Sequence, residues 1–193
     1  MIDSSHYWQQ PIRVQHFQSG KTLFLNHSAR LIEIDEARDI TSIMFVRGDL
    51  PFPDRTIPII EDNYRLKVGT DVSWVGFPAI APDNLCFFSG NISCWVQKDR
   101  FCFVDGVVIP GVSGGPTLAI IYNEVHIIGI VSAYVVPNPS TGAQLPGLCV
   151  VRDVFPLYET VKMLRSFEEA KEQEKLPAGR PPARTVDDLI MGQ

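Results

Sequence analysis

The residue types with the clearest chemical potential lie at residues 111–116, Gly-Val-Ser-Gly-Gly-Pro, in a chain of 193 residues. At average Gly, Ser and Pro usage, five such fixed positions arise by chance in roughly two chains per ten thousand of this length. A nucleophilic serine must project from a tight turn, and flanking glycines let backbone N–H groups converge where an acyl oxyanion develops. The motif therefore predicts Ser113 as a nucleophile, with the N–H groups of Gly111 and Ser113 as an oxyanion hole. The alternative is a glycine-rich turn with an incidental serine, although one glycine would serve a turn.

Composition limits the partners that this motif could serve. The chain is 45% hydrophobic and 20% charged, which is typical of a folded protein. Its net charge of −5 argues against nucleic acid or an anionic membrane as the main partner. Apolar runs such as residues 125–136 are too short and interrupted to span a bilayer. The start has no secretory signal pattern, so the default expectation is a cytoplasmic protein.

The cysteines give no sign of a metal site. Residues 86, 94, 102 and 149 contain no C-x-x-C spacing and no histidine pair at zinc-finger intervals, so we expect neither a metal nor another cofactor. Cys86, Cys94 and Cys102 alternate with apolar residues, which predicts small buried hydrophobic side chains. A disulfide framework is the alternative.

The elements that must position the motif are predicted to be β-strands. Period-two runs flank the turn at Ser19-Gly20 and predict a hairpin over residues 12–25. Further short runs of β-branched and aromatic residues follow, which indicates an all-β chain built as an antiparallel sandwich or barrel pair. The predicted strands after the hairpin are 30–34, 40–46, 68–69, 72–75, 86–88, 92–96, 101–104, 117–121, 126–136 and 148–151.

Only the C-terminal part has a helical pattern. Pro156 suits a first helical position, and an apolar stripe begins at Leu157 and turns charged through residues 168–175. Residues 176–184 form a Pro and Ala linker, and residues 185–191 carry a few apolar side chains. We expect this tail to be mobile, with a partner-docking motif as the alternative.

Residues 111–116 resemble the nucleophile motif of the trypsin-like (chymotrypsin-fold) serine peptidases, especially the disulfide-free HtrA-type branch, here without its PDZ domain. The similarity extends over about residues 6–166. It implies a peptidase domain over residues 1–166, with a first antiparallel barrel at about 1–60, a second at about 64–152 and a closing helix from about 156, and then the helix end, linker and tail at 167–193. The other stretches that carry the resemblance are 66–69 and 75–78 (the hairpin that opens the second barrel), 89–93, 104–110 and 128–133.

The resemblance implies a catalytic triad in the chain order His, Asp, Ser. Asp39 begins an apolar run and lies at the family's usual separation from Ser113, so it is the expected aspartate. Asp35 is the nearby competitor, but it does not stand at the start of the apolar run.

The expected general base is His6, which lies at a suitable spacing before Asp39 and before the hairpin. His16 and His27 fall on the hairpin and near its end, where packing or solvent exposure is expected. His126 comes after Ser113, in the wrong order.

The family carries about two strands before its base, whereas this chain begins five residues before His6. We therefore expect the first barrel to be incomplete, and the sequence to be a truncated or decayed peptidase or a fragment.

By the same resemblance, Val107, Ser132, Ala133 and Tyr134 are expected to bind substrate, with Val107 favouring small or medium apolar residues before the cut. The expected function is a serine endopeptidase acting on polypeptides, with no nucleic-acid or membrane partner and no assigned oligomeric state. The alternative is an inactive or truncated peptidase-fold protein that binds extended peptides by strand addition.

Overall fold

A computed structural model describes residues 9–46, 48–51, 53, 55–61, 64–134 and 147–175. Within these residues the chain forms ten β-strands followed by one long helix, so the predicted all-β class with a C-terminal helix is confirmed. The strands are Ile12–Gln15 (β1), Thr22–Leu25 (β2), Arg30–Asp35 (β3), Ile40–Phe45 (β4), Asp71–Gly76 (β5), Cys86–Val96 (β6), Phe101–Gly106 (β7), Pro116–Ile121 (β8), Glu124–Tyr134 (β9) and Leu148–Asp153 (β10), and the helix α1 is Phe155–Lys175.

The first two strands form the predicted hairpin. β1 and β2 pair antiparallel, with Ile12 opposite Leu25 and Gln15 opposite Thr22. The turn closes because the His16 N–H donates to the Lys21 carbonyl at 2.8 Å, and Gly20 adopts φ +68°. A positive φ costs glycine little, which explains the glycine at this position.

β3 and β4 form a second antiparallel pair, joined by a turn over residues 36–39. Asp35 lies opposite Ile40, and the pairing runs back to Arg30 opposite Phe45. In the described N-terminal part, the strands therefore form two separate two-stranded sheets and no closed barrel.

The remaining six strands form a closed antiparallel barrel in the order β10-β7-β6-β5-β8-β9. Closure leaves every strand with two hydrogen-bonded neighbours, so the barrel has no open edge. Side chains alternate between inside and outside, as in β10, where Cys149, Val151 and Asp153 are buried and the residues between them are less so.

Trp74 fills the centre of the barrel and is fully buried. Its ring stacks on Phe88 with centroids 6.2 Å apart, and a side chain at Gly106 would collide with it. Trp74→Ala would cost about 3 to 5 kcal/mol, because large-to-small core substitutions lose the transferred surface and leave a cavity. The other buried apolar residues of this core cluster are Ile60, Leu66, Val72, Ile92, Cys102, Val104, Val112, Ala119, Ile121, Ile128, Val131, Cys149, Val151 and Val154.

The helix α1 begins at Phe155, one residue before the predicted start. The Phe155 N–H donates to Asp153 Oδ1 at 2.8 Å, which satisfies a backbone group that has no partner inside the helix. Pro156 occupies the first turn, where its missing N–H carries no cost.

Two strand predictions are wrong. Residues 68–69 form a turn rather than a strand, because Gly69 adopts φ +84° and donates its N–H to the Ile92 carbonyl. The predicted strands 86–88 and 92–96 are a single strand, β6, which continues through Gly90. β9 begins at Glu124, two residues before its prediction, and residues 135–136 of that prediction lie outside the described residues.

The cysteine prediction is right for Cys102 and wrong for Cys94. Cys102 is buried, Cys86 is half-buried and Cys94 is exposed, and all four thiols are free. A β-bulge between Ile92 and Cys94 inserts one extra residue into β6, which turns Cys94 to the outside of the barrel. Burial raises the pKa of the Cys102 thiol to about 12, and it does the same for Cys149.

Candidate active site

The loop between β7 and β8 presents Ser113 at the surface. Gly111 and Gly114 adopt φ +95° and +85°, a backbone conformation that side chains disfavour, and the Ser113 side chain between them is exposed. A Cβ at Gly111 would stand 2.6 Å from the Phe77 carbonyl oxygen and 2.7 Å from the Ala79 nitrogen. Only glycine fits at position 111.

Two amides in this loop are available to a ligand. In the described part of the chain, no residue accepts a hydrogen bond from the N–H of Gly111 or Ser113, and the Ser113 hydroxyl has no partner there either. An unpaired pair of backbone donors beside a serine hydroxyl is what stabilisation of an acyl oxyanion requires.

The downstream end of the loop is fixed to β9. The Gly114 N–H donates to the Val131 carbonyl at 2.7 Å, and the Val131 N–H donates to the Gly115 carbonyl at 2.9 Å. Val112, next to Ser113, is 1% exposed and anchors the loop in the barrel core. The loop is therefore held by backbone and core contacts on both sides of Ser113.

Asp39 is hydrogen-bonded to Ser132, the residue that follows Val131 on β9. It ends the β3–β4 turn with φ +53°, its side chain is exposed, and Ser132 Oγ donates to Asp39 Oδ2 at 2.6 Å. Val131 and Ser132 are consecutive, so one short piece of β9 holds both Asp39 and the Ser113 loop. The structure thus brings Asp39 and Ser113, two of the predicted site residues, to a common support.

The competitor Asp35 is engaged elsewhere. Arg38 Nη1 donates to Asp35 Oδ2 at 2.6 Å, and this hydrogen bond holds the pKa of the Asp35 carboxyl below its usual value. Asp35 therefore forms an ion pair within its own turn, whereas Asp39 reaches the barrel.

The histidines divide into one outside the structure and three within it. His6 lies outside the described residues, so its role as general base stays a prediction. His16 Nδ1 lies 2.9 Å from Ser19 Oγ, and His126 Nδ1 lies 3.1 Å from the Glu124 carbonyl. His27 lies in a 3-10 turn before β3. None of these three is hydrogen-bonded to Asp39 or Ser113 in the described part of the chain.

The predicted substrate-binding residues lie at the ends of β7 and β9. Val107 follows β7 and is 58% exposed, while Ala133 and Tyr134 close the described part of β9. The Ser132 hydroxyl donates to Asp39, a positioning contact that the sequence reasoning missed. One signal pointed to it: a serine hydroxyl in the apolar run of β9 needs a hydrogen-bond partner.

The described residues contain no group of three or more His, Cys, Asp or Glu side chains that could hold a metal ion. They also contain no helix long and apolar enough to cross a membrane.

Comparisons with known proteins give a likeness of fold. No family model matches the chain, and no curated protein matches its sequence. The crystal structure of the serine endoprotease from Yersinia pestis matches with a TM-score of 0.57 and 20% identity, over 80% of this chain and 48% of that one. The chain therefore shares a protease-like β-barrel fold with that protein, and it spans about half of that protein's length.

Proposed function

We propose that the chain is a serine endopeptidase that hydrolyses polypeptides. The observation that carries the proposal is the pair of contacts from β9: the Val131 backbone holds the Ser113 loop, and the Ser132 hydroxyl holds Asp39. A nucleophile and an acid that are both bonded to one strand keep a defined separation, which lets a histidine oriented by the acid reach the nucleophile.

The chemistry assigns one role to each group. Ser113 Oγ attacks the peptide carbonyl carbon while His6 accepts the hydroxyl proton, and Asp39 orients His6 and stabilises its charged form. The N–H groups of Gly111 and Ser113 stabilise the oxyanion. When the C–N bond breaks, His6 returns the proton to the leaving amine, and water then repeats the sequence to release the acid from Ser113. The chemistry needs no metal or cofactor.

Substrate would lie along the end of β9 on the acyl side of the cut. Ser132, Ala133 and Tyr134 would bind the extended backbone, and Val107 would line the pocket for the residue before the cut. Because Val107 is apolar, we expect this pocket to take small or medium apolar side chains.

A second candidate is a peptidase-fold protein that binds extended peptides without cleaving them. The separate two-stranded sheets of the described N-terminal part favour it, since a base attached to an open sheet is loosely placed. A misplacement of about 1 Å costs on the order of 100-fold in rate.

Hydrolysis of a dye-quenched unfolded protein tests the proposal. The wild type should release fluorescent fragments, and Ser113→Ala should release none. Ser93→Ala is the matched control, because Ser93 is an exposed serine on β6 and should leave the rate unchanged. Binding of the substrate without cleavage by the wild type would favour the second candidate.

A further inference from the structure

An open pocket lies beside the upstream end of the Ser113 loop. Its volume is about 440 Å³, and its lining residues come from the β1 end and from the segment between β5 and β6: Gln15, Phe17, Phe77, Pro82 and Asp83. The Phe17 and Phe77 rings lie 5.2 Å apart at 59°, and they are 52% and 38% exposed. Two partly exposed phenylalanines that touch each other and line the pocket offer an aromatic wall to a ligand.

The backbone of Phe77 places this pocket relative to the cut. Its carbonyl packs against Gly111, and the Ala79 N–H donates to the Pro110 carbonyl at 2.7 Å. The other end of the Ser113 loop is fixed to β9, where the acyl side of a substrate would lie. A peptide crossing the loop from β9 would therefore reach Phe77 with its leaving-group side.

The charge on the described lining of the pocket is negative, which favours a cation. Asp83 is exposed, and in the described part of the chain its carboxylate has no hydrogen bond or ion pair. Arg13 does not line the pocket; its Nη2 donates to Gln15 Oε1 at 2.6 Å, so Asp83 is the charged residue among the described lining residues. A long aliphatic stem would pack on the phenylalanine rings while its positive end met Asp83, and a guanidinium could also stack on a ring.

We infer that this pocket binds a Lys or Arg side chain on the leaving-group side of the scissile bond. The inference rests on the proposed endopeptidase function for its placement. It gives the protein opposite preferences on the two sides of the cut: an apolar residue before it and a basic residue after it.

Paired fluorogenic peptides test the pocket by hydrolysis. They share one apolar residue before the cut and carry Lys, norleucine or Glu at each of the first three positions after it. We expect kcat/KM for Lys to exceed that for norleucine on the order of five-fold at one of these positions, as a partly exposed cation contact would give. In Asp83→Asn the Lys to norleucine ratio should fall to about one, and in Asp83→Lys the Glu peptide should become the better substrate.

Asp99→Asn is the matched control, since Asp99 is an exposed acid in the turn before β7, and its Lys to norleucine ratio should equal that of the wild type. Efficient cleavage with no Lys preference, or a preference that survives Asp83→Asn and Asp83→Lys, would overturn the pocket assignment while the endopeptidase stands.

Binding of the same peptides to Ser113→Ala, measured by fluorescence anisotropy, separates the two proposals. Tighter binding of the Lys peptide that is lost in Ser113→Ala combined with Asp83→Asn supports the pocket, even if the wild type cleaves nothing. Failure of cleavage together with equal binding of Lys, norleucine and Glu peptides would overturn both proposals.

Discussion

Ser132 Oγ donates a hydrogen bond of 2.6 Å to Asp39 Oδ2 across 93 positions of sequence. The bond joins the β3–β4 turn to barrel strand β9, and the preceding residue, Val131, pairs with the Ser113 loop. Asp39 and the Ser113 loop are thereby bonded to consecutive residues of β9, although the turn that carries Asp39 is exposed. The barrel therefore supports the position of the acid.

The first prediction follows from this bond. Asp39→Asn should lower the rate of Ser113 acylation by about 10⁴-fold, because the base loses its orienting charge. Ser132→Ala should lower this rate less, on the order of 10 to 100-fold, because Asp39 keeps its charge but loses the hydrogen bond that positions it. The measurement is the burst rate with an activated ester. Asp35→Asn is the control and should match the wild type, and a Ser132→Ala variant as fast as the wild type would contradict the positioning role.

The second prediction compares two glycines of the Ser113 loop. Gly114→Ala introduces only backbone strain, since a Cβ there has nothing within 4 Å, and should cost roughly 1 to 3 kcal/mol of unfolding free energy. Gly111→Ala adds a collision with the backbone of Phe77 and Ala79, so it should be more destabilising and should displace an oxyanion donor. Urea unfolding and acylation rates check this. Equal stability losses in the two variants would contradict the packing described.

The third prediction concerns the residue before the cut. A peptide library should show preference for Ala, Val or Leu at that position, because Val107 offers no acid to pair with Lys or Arg. Val107→Asp should shift the profile toward basic residues. A wild-type profile dominated by Arg or Lys at that position would refute the role of Val107.

The fourth prediction concerns stability at alkaline pH. Burial raises the pKa of Cys102 and of Cys149 to about 12, above the value of 9.0 for an unperturbed thiol, and the neighbouring Cys149 adds to the effect at Cys102. Below pH 9 both thiols are protonated in both states, so their contribution is fully present. Between pH 9 and 12 only the unfolded state ionises, and the unfolding free energy should fall by up to about 1.4 kcal/mol per pH unit for each thiol.

Urea titrations between pH 8 and 10.5 test this effect. In the double variant Cys102→Ala and Cys149→Ala, the unfolding free energy should decline less steeply above pH 9, although it will be lower at pH 8. Cys94→Ala, which changes an exposed thiol, should decline like the wild type. An unchanged slope in the double variant would refute the assignment.

The fifth prediction concerns the ion pair at the start of α1. Asp153 is 8% exposed, accepts from Arg100 Nη2 at 2.9 Å and from the Phe155 N–H at 2.8 Å, so Asp153→Ala should cost about 2 to 3 kcal/mol. The Asp35 and Arg38 pair is shorter, at 2.6 Å, but its side chains are 29% and 45% exposed and solvent screens it, so Asp35→Ala should leave the melting temperature unchanged. Thermal unfolding of both variants tests this difference, and an equal fall in the two melting temperatures would contradict the role of burial.

Much of the fold could be predicted from local pattern. The hairpin of residues 12–25 and the strands after it follow from alternation and turn residues, which act over a few positions. The exposure of Cys94 could not be predicted, because the β-bulge beside it depends on the partner strand β7. The continuation of β6 through Gly90 likewise depends on pairing with β7, where Gly90 lies opposite Gly106. The strand prediction at residues 68–69 was wrong because it followed the β-branched Val68, whereas Gly69 forms a turn.

The candidate site was predictable only in part. The Ser113 loop has a local glycine pattern, and the structure gives the physical reason for Gly111. The choice of Asp39 over Asp35 rested on its place at the start of an apolar run, as in the family that the chain resembles, and the long-range bond to Ser132 is consistent with that choice. The pocket at Phe17 and Phe77 joins residues 60 positions apart and left no pattern in the sequence.

The most direct test of the endopeptidase proposal is reaction of the folded protein with a fluorophosphonate, followed by intact mass measurement and peptide sequencing by mass spectrometry. We expect one adduct per chain, located on Ser113, absent in Ser113→Ala and strongly reduced in His6→Ala and Asp39→Ala. A protein with a β-rich circular dichroism spectrum and a cooperative unfolding transition that forms no adduct, or forms it on another serine, would contradict the proposed nucleophile.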